Sequence, residues 1–254
     1  MDSTQKKHMN RLGLIGKDIS YSFSKGYFAT KFEVQKLPFT YENFDLKHIS
    51  EFKQLFTKNH GIVGFNVTIP YKEAIIPHLD SLNKKARKIG AVNTITIDKD
   101  GLLKGYNTDC YGFKKSITPF LKSHHTKALI LGTGGASKAI AYTLKKLNIK
   151  FDYISRTKKP GVKFTYETLT SEILSTYTIV INCTPIGTYP NVDDCPNIPY
   201  DGITNKHLLY DLIYNPTETK FLKLGKSKGA KICNGLKMLE YQAEKAWKIW
   251  NSNI

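Results

Sequence analysis

The chain has 254 residues, of which 41% are hydrophobic and 23% are charged. This length and composition fit a globular protein of one large or two modest domains. The sequence contains no run of about 18 apolar residues that would span a membrane. Residues 1–13 are polar and lack the apolar core of a secretory signal. We therefore expect a cytoplasmic protein with no membrane partner.

The formal net charge of +17 introduces a nucleic-acid-binding protein as an alternative, because basic surfaces attract polyanions. The lysines, however, are spread along the chain in pairs such as Lys84-Lys85 and Lys145-Lys146, with no basic tail and no aromatic RNA-binding motif. This distribution favours a solvated surface that attracts anionic small molecules, and no nucleic-acid partner. The four cysteines lie far apart without metal-ligand spacing, so we expect reduced thiols and no metal.

The first half of the chain predicts alternating elements, with strands at 10–15, 39–44 and 61–69 and helices at 25–35 and 49–59. This order favours a mostly parallel sheet covered by helices. Further along, residues 91–98 and 102–106 flank Asp100-Gly101, which is a strong signal for a β-hairpin. We place a domain junction near Tyr106.

A glycine-rich turn between a predicted strand and a predicted helix opens the second half. The apolar run 128–131 precedes Gly132-Thr133-Gly134-Gly135, and apolar residues recur at helical spacing from Ala136. Glycines allow a sharp turn and let a pyrophosphate approach the amides at the helix N-terminus. The spacing Gly-x-Gly-Gly-Ala-Ser is a variant of the dinucleotide-binding pattern. We therefore predict that residues 132–136 bind a dinucleotide cofactor.

The next predicted strand, 151–155, decides between the two nicotinamide cofactors. It ends at Ser155 and is followed by Arg156 and Thr157, where an NAD enzyme would carry Asp or Glu for the ribose. A guanidinium suits a 2′-phosphate, so we predict NADP, with Ser155, Arg156 and Thr157 as contacts. A different strand end would bring Asp152 to the ribose and leave NAD open. Strands at 178–182, 208–212 and 230–233 follow, and residues 237–250 predict an amphipathic helix.

Nine stretches, in order, resemble the shikimate dehydrogenase family, whose members reduce 3-dehydroshikimate to shikimate with NADPH in aromatic amino-acid biosynthesis. They are SYSFS at 20–24, NVTIPYK at 66–72, GAVNT at 90–94, NTD at 107–109, GTGGASK at 132–138, SRT at 155–157, NCTPIG at 182–187, YDLIYNPTET at 210–219 and NGLKMLEYQA at 234–243. The resemblance implies an α/β protein with two domains and the active site in the cleft between them. A substrate-binding domain with a mostly parallel sheet would span 1–105, completed by the C-terminal helix 236–254, and a Rossmann-like NADP-binding domain would span 106–235.

The resemblance also implies roles for individual residues. Hydride delivery to a ketone needs a proton donor beside the oxygen, and Lys72 and Asp109 match the family's catalytic pair. Ser22 and Ser24 are alternate residues of one loop, so both can donate to the substrate carboxylate. The remaining implied substrate contacts are Thr68, Lys72, Asn93, Asp109, Tyr214 and Gln242. The remaining implied cofactor contacts are Thr184, Ile186, Ile213, Gly235 and Met238.

Three positions depart from the family's common pattern. Ser155 replaces an Asn, Lys25 replaces a Pro and Cys110 replaces a Gly, so Cys110 either crowds the site or exposes a thiol beside Asp109. The alternatives are a quinate/shikimate dehydrogenase that uses NAD, and a non-catalytic dinucleotide-binding protein. We expect a small-molecule substrate and a monomer or homodimer.

Overall fold

The computed structural model of the chain describes residues 9–20, 22–58 and 60–253. Most of the polar N-terminal stretch, residues 1–8, lies outside this range. The chain divides into two compact units, which we call unit 1 (Met1–Thr108 and Ala243–Ile254) and unit 2 (Asp109–Gln242). The first junction follows residue 108, against 105 in the predicted domain bounds, and the second follows residue 242, against 235.

Unit 1 contains a six-stranded sheet in the order β2-β1-β3-β5-β6-β4. Its strands are β1 (Asn10–Gly16), β2 (Phe39–Asp45), β3 (Ile62–Val67), β4 (Ser81–Leu82), β5 (Thr94–Ile97) and β6 (Leu103–Tyr106). Its helices are α1 (Phe23–Val34), α2 (Gln54–Lys58) and α3 (Lys84–Ile89), with short 3-10 turns at Ile49–Lys53 and Ile76–His78. β1 pairs in parallel with β2 and β3, and β4 with β6, whereas β5 is antiparallel to β3 and β6. The predicted hairpin is therefore confirmed as β5 and β6.

Unit 2 contains a second six-stranded sheet, in the order β12-β11-β10-β7-β8-β9. Its strands are β7 (Lys127–Leu131), β8 (Lys150–Ser155), β9 (Val162–Thr165), β10 (Ile179–Asn182), β11 (Leu208–Asp211) and β12 (Lys231–Cys233). Its helices are α4 (Asp109–Ile117), α5 (Gly135–Lys146), α6 (Ser171–Ser175), α7 (Lys220–Ser227) and the first part of α8 (Leu236–Asn251), with 3-10 turns at Thr118–Phe120 and Tyr200–Gly202. The five strand pairings of this sheet among the described residues are all parallel. Counted from β7, the order is 3-2-1-4-5-6, which is the Rossmann arrangement, with its reversal of direction between β7 and β10.

The central strands of unit 2 are apolar along most of their length because both faces of the sheet are covered. Alternate residues enter two separate clusters: Ala128 and Ile130 pack in one, whereas Leu129 and Leu131 pack in the other. β10 and β11 divide their side chains in the same way. This two-sided burial explains why the sequence of these strands shows apolar runs rather than alternation.

The end of α8 belongs to unit 1. The Trp250 side chain is fully buried, its ring centroid lies 5.5 Å from that of Phe28, and its indole N–H donates to the carbonyl of Ile95 at 2.9 Å. A Cβ at Gly64 would collide with the Trp250 indole, so this glycine in β3 makes room for the ring. Across the described residues, no helix is long and apolar enough to cross a membrane.

Candidate active site

The glycine turn of unit 2 leaves room for an anion at the start of α5. Gly132 has a φ of +97°, in the left-handed region that favours glycine. Gly134 is the N-cap residue of α5, and it has no side chain to occupy the amides of the first helical turn. A Cβ at Gly134 would meet nothing within 4 Å, so the side of the turn at this residue is uncrowded. These features fit the pyrophosphate of a dinucleotide.

The end of β8 provides the residues expected at the ribose. The strand ends at Ser155, and Arg156 and Thr157 are exposed directly beyond it. Asp152 lies three positions earlier, where its carboxylate accepts a hydrogen bond from Tyr177 at 2.7 Å and pairs with Lys163 at 3.2 Å. The strand therefore ends where the sequence predicts, and Arg156 is the first residue beyond it, at the position predicted for the 2′-phosphate contact.

A loop after β10 lies against the glycine turn. The methyl group of Thr184 is 3.0 Å from the position of a Cβ at Gly132. Asn182, the last residue of β10, accepts hydrogen bonds from the backbone N–H of Thr184 at 3.0 Å and from its hydroxyl at 2.6 Å. The Thr184 hydroxyl accepts in turn from the N–H of Ile186 at 3.3 Å. Thr184 and Ile186 are thus held by one buried amide.

The loops after β11 and β12 are also joined. The N–H of Gly235 donates to the carbonyl of Ile213 at 3.0 Å, and a Cβ at residue 235 would collide with the carbonyl oxygen of Leu212. Only glycine therefore fits at this position. Met238, the third residue of α8, is 5% exposed and packs in the core of unit 2.

Helix α4 places Asp109 at its first residue, where the side chain is buried. One turn later, Gly112 lies so close to α8 that a Cβ would collide with the carbonyl of Met238 and lie 3.1 Å from the Cβ of Gln242. The helix that carries Asp109 therefore packs directly on the helix segment that carries Met238 and Gln242. Cys110 is buried and its carbonyl accepts from Thr143 at 3.2 Å, so its thiol is not exposed beside Asp109.

In unit 1, Lys72 follows β3 in a turn whose backbone is fixed on several sides. The Thr68 N–H donates to the carbonyl of Ile15 at 2.8 Å, and the Lys72 carbonyl accepts from the N–H of Val92 at 2.7 Å. The hydroxyl of Tyr71 donates to the carbonyl of Leu46 at 2.7 Å. The half-buried Lys72 side chain therefore starts from a well-anchored backbone.

A buried network of neutral groups, which we call the amide network, holds Asn93. The Asn93 amide accepts from the N–H of Thr108 at 2.7 Å and donates to its hydroxyl at 2.9 Å. Asn66 donates to the carbonyl of Asn93 at 3.1 Å and accepts from the hydroxyl of Tyr41 at 2.8 Å. The network therefore fixes Thr108, the last residue of unit 1 before Asp109.

The two predicted substrate serines lie at the start of α1, where Ser24 is already in the helix rather than in a loop. Ser22 is the N-cap residue of α1, and its hydroxyl oxygen is buried without a hydrogen bond to any described residue. Ser24 is also buried, and its hydrogen bond to Tyr41 partly offsets the effect of burial, which raises the pKa of Tyr41. A buried polar group without a partner costs about 1–3 kcal/mol. A ligand oxygen within reach of Ser22 would remove this cost.

Known proteins match this chain over almost its whole length. The family described as "Shikimate dehydrogenase substrate binding domain" matches residues 14–95. A curated relative from Clostridium botulinum, named "Shikimate dehydrogenase (NADP(+))", is 41% identical over 255 residues, which cover 96% of this chain and 98% of the relative. The chain belongs to the shikimate dehydrogenase family.

Solved shikimate dehydrogenases share the fold. The enzyme from Aquifex aeolicus has a TM-score of 0.86 and 34% identity, with 100% of this chain and 96% of that chain covered. The Thermus thermophilus enzyme in complex with NADP(H) and shikimate has a TM-score of 0.84 and 29% identity, with 96% of this chain and 94% of that chain covered. The α/β fold class and the family predicted from the sequence are confirmed.

The predicted shikimate dehydrogenase residues fall into two groups. The cofactor candidates of unit 2 lie at the carboxyl ends of its parallel strands. These candidates are Gly132, Thr133, Gly134, Gly135, Ala136, Ser155, Arg156, Thr157, Thr184, Ile186, Ile213 and Gly235. Unit 1 carries Ser22, Ser24, Thr68, Lys72 and Asn93, and unit 2 also carries Asp109, Tyr214, Met238 and Gln242. Their individual roles stay predictions. Among the described residues, no group of three or more His, Cys, Asp or Glu side chains could hold a metal ion.

Sequence reasoning missed four polar residues beside these candidates: Tyr41, Asn66, Asn182 and Asp211. All four are buried within, or at the end of, a strand. The signal was present, because a polar side chain in an apolar strand must be hydrogen-bonded when it is buried. The partners on neighbouring strands, however, lie 25–29 residues away in the sequence and could not be identified from it.

Proposed function

We propose that this chain is an NADP-dependent shikimate dehydrogenase in which Lys72 and Asp109 carry the proton transfer. The observation that carries the proposal is the open glycine turn followed by Arg156, in a sheet of Rossmann order. The clostridial relative is named for NADP(+), and the Thermus thermophilus enzyme was solved with NADP(H) and shikimate. A non-catalytic dinucleotide-binding protein would not need Lys72 and Asp109.

Reduction of the ketone adds a hydride to the carbonyl carbon and a proton to its oxygen. NADPH, when bound, supplies the hydride. The ammonium group of Lys72 donates the proton to the oxygen as negative charge develops there, and Asp109 accepts a hydrogen bond from the hydroxyl that forms. Such acid–base assistance is typically worth about 10²–10⁴-fold in rate. When shikimate is oxidised, the same groups act in reverse, and Lys72 accepts the proton of the hydroxyl.

Residues of unit 1 would recognise the substrate. Ser22, whose buried hydroxyl has no partner among the described residues, donates to the substrate carboxylate together with Ser24. Asn93 and Thr68 face the ring hydroxyls, with Tyr214 and Gln242 completing the substrate contacts. Arg156 binds the 2′-phosphate of the cofactor, beside Ser155 and Thr157. We further propose a cytoplasmic enzyme that acts as a monomer or homodimer.

An absorbance assay at the nicotinamide band tests this function. We expect oxidation of shikimate with NADP⁺, and a much lower kcat/KM with NAD⁺ or with quinate. A preference for quinate and NAD⁺ would instead identify the enzyme as a quinate dehydrogenase. The Lys72→Ala variant should lose about 10²-fold or more in kcat. Lys99→Ala, at an exposed position in the hairpin turn, is the matched control. A kcat of Lys72→Ala equal to that of Lys99→Ala would contradict the proposed role of Lys72.

A further inference from the structure

Asp211 is a fully buried carboxylate at the end of β11. In the described part of the chain, no lysine or arginine forms an ion pair with it. Buried charges are normally paired, or they are held by several hydrogen bonds. Asp211 is held by several hydrogen bonds. It lies at the carboxyl end of β11, the edge at which Rossmann sheets bind ligands, so these bonds can affect the shape of the ligand-binding loops.

Three donors meet at this carboxylate, one from the end of β10 and two from the loop between β11 and α7. One oxygen accepts from the side-chain amide of Asn182 at 3.1 Å and from the backbone N–H of Ile213 at 3.0 Å. The other accepts from the hydroxyl of Thr219 at 2.6 Å, and Thr219 is the N-cap residue of α7. We call Asp211, Asn182 and Thr219 the carboxylate network. It ties the end of β10 to the loop after β11.

The network reaches the glycine turn through Asn182. The amide NH₂ of Asn182 points to Asp211, so its oxygen points to Thr184 and accepts both the N–H and the hydroxyl of that residue. Thr184 in turn packs against Gly132. On the other side, Ile213 is bonded both to Asp211 and to Gly235.

An anion is well suited to this position because it can only accept hydrogen bonds. A neutral amide or hydroxyl in the same place could reverse its direction, and Asn182 could then turn its oxygen away from Thr184. Burial raises the pKa of Asp211 to about 6, while the bonds from Thr219, Ile213 and Asn182 lower it, so the group is mainly ionised at neutral pH. The ionised carboxylate therefore selects one orientation of Asn182.

We propose that Asp211 is a positioning residue for the cofactor, and that it acts through Asn182 and Ile213 to hold the loops after β10 and β11 in the shape that binds NADP. The inference rests on the proposed function for the identity of the cofactor. It gives this buried acid an indirect role, exerted through Asn182 and Ile213.

Calorimetric titration of the full-length chain with NADP⁺ tests the proposal. Loss of a hydrogen-bonded charge corresponds to about tenfold or more in binding, so we expect Asp211→Ala to raise the Kd for NADP⁺ by that factor. In steady-state assays the KM for NADP⁺ should rise equally, while the KM for shikimate at saturating NADP⁺ stays within about twofold of the wild type. This separation is not expected from general destabilisation.

The matched control is Tyr210→Phe. Tyr210 directly precedes Asp211 in β11, is fully buried, and shares a 2.6 Å hydrogen bond with Ser116. This variant should lose stability and keep its affinity for NADP⁺. If Asp211→Ala does not fold, Asn182→Ala breaks the same link and should weaken NADP⁺ binding to a similar degree.

Two results would overturn the inference: wild-type NADP⁺ affinity in a folded Asp211→Ala or Asn182→Ala variant, or an equal loss of affinity in Tyr210→Phe. Failure of the proposed function is a separate result. A wild-type protein that binds NADP⁺ but does not oxidise shikimate would contradict that function, and the titration would still test Asp211.

Discussion

The amide network of unit 1 and the carboxylate network of unit 2 both hold backbone segments in place, but they use different chemical groups. Each fixes backbone beside predicted ligand contacts by means of a buried asparagine at a strand, Asn66 in one and Asn182 in the other. In unit 1 the asparagine is bonded to neutral hydroxyl and carbonyl groups, whereas in unit 2 it is bonded to an acid. The difference implies that only the second network responds to pH, and that its loss affects the cofactor rather than the substrate.

The largest expected effect is on the free energy of unfolding, when each of the two asparagines is replaced by alanine in a separate variant. Asn66→Ala leaves the hydroxyl of Tyr41 without its acceptor and should destabilise unit 1 by about 2 kcal/mol. Asn182→Ala takes a donor from a buried carboxylate and should destabilise unit 2 by about 3 kcal/mol, because bonds to charged groups are stronger. Urea unfolding checks both values. The chain has two tryptophans, Trp247 and Trp250, and both lie in unit 1, so their fluorescence reports on that unit while circular dichroism reports on the whole chain.

Equal losses in the two variants would contradict the distinction between the networks. A useful control is Ser175→Ala, at an exposed position whose hydroxyl bonds only within its own helical turn. It should change the free energy of unfolding by less than about 0.5 kcal/mol.

Asp211 predicts the pH dependence of unit 2. Burial raises its pKa from 3.8 to about 6, so the folded state binds a proton more tightly than the unfolded state. Protonated Asp211 therefore contributes to the free energy of unfolding in full below about pH 4, and this contribution is lost as pH rises through 6. At about 1.4 kcal/mol per pKa unit, the loss is about 3 kcal/mol. Asp211→Asn does not titrate, so the wild type should lose stability relative to this variant between pH 4 and 7. A constant difference across that range would show that Asp211 does not titrate as its burial implies.

Tyr41→Phe should have a smaller effect, confined to unit 1. The variant keeps the stacked ring, whose centroid lies 4.7 Å from that of Phe28, and removes only the hydroxyl that bonds to Asn66. We expect a loss of about 1 kcal/mol in stability, and a rise in the KM for shikimate without a change in the KM for NADP⁺. A rise in the KM for NADP⁺ alone would contradict the assignment of the amide network to the substrate.

The smallest effect concerns His207, which lies just before β11 at the end of the sheet opposite Asp211. Burial lowers the pKa of His207, and its Nδ1 accepts the N–H of Thr204 at 3.0 Å, so the folded state favours the neutral ring. Its contribution to stability is present above the unfolded pKa near 6.5 and is lost as pH falls below it. His207→Asn keeps an acceptor without titrating, so its thermal unfolding temperature should fall less than that of the wild type between pH 7 and 5. An identical decline in both proteins would exclude His207 as a source of acid sensitivity.

Predictions from the sequence succeeded where the signal is local. The apolar runs of β7 and β10, the Asp100-Gly101 hairpin and the end of β8 at Ser155 all agree with the structure. β9 was missed, because Val162–Thr165 is a short edge strand of half-buried and exposed residues without a clear apolar pattern. The two-residue strand β4 was missed for the same reason.

The sequence by itself determined the family, the class of cofactor and the local glycine turn, because the glycines, the strand end and the arginine lie within about 25 residues of one another. Only the tertiary structure decided which buried polar groups meet. Tyr41 and Asn66 are 25 residues apart, and Asn182 and Asp211 are 29 apart. Their pairing depends on the order and register of strands in the sheet, which local periodicity does not encode. Asp211 was therefore visible from the sequence as a polar residue in a matched motif, and its bond to Asn182 became visible only once β10 and β11 were side by side.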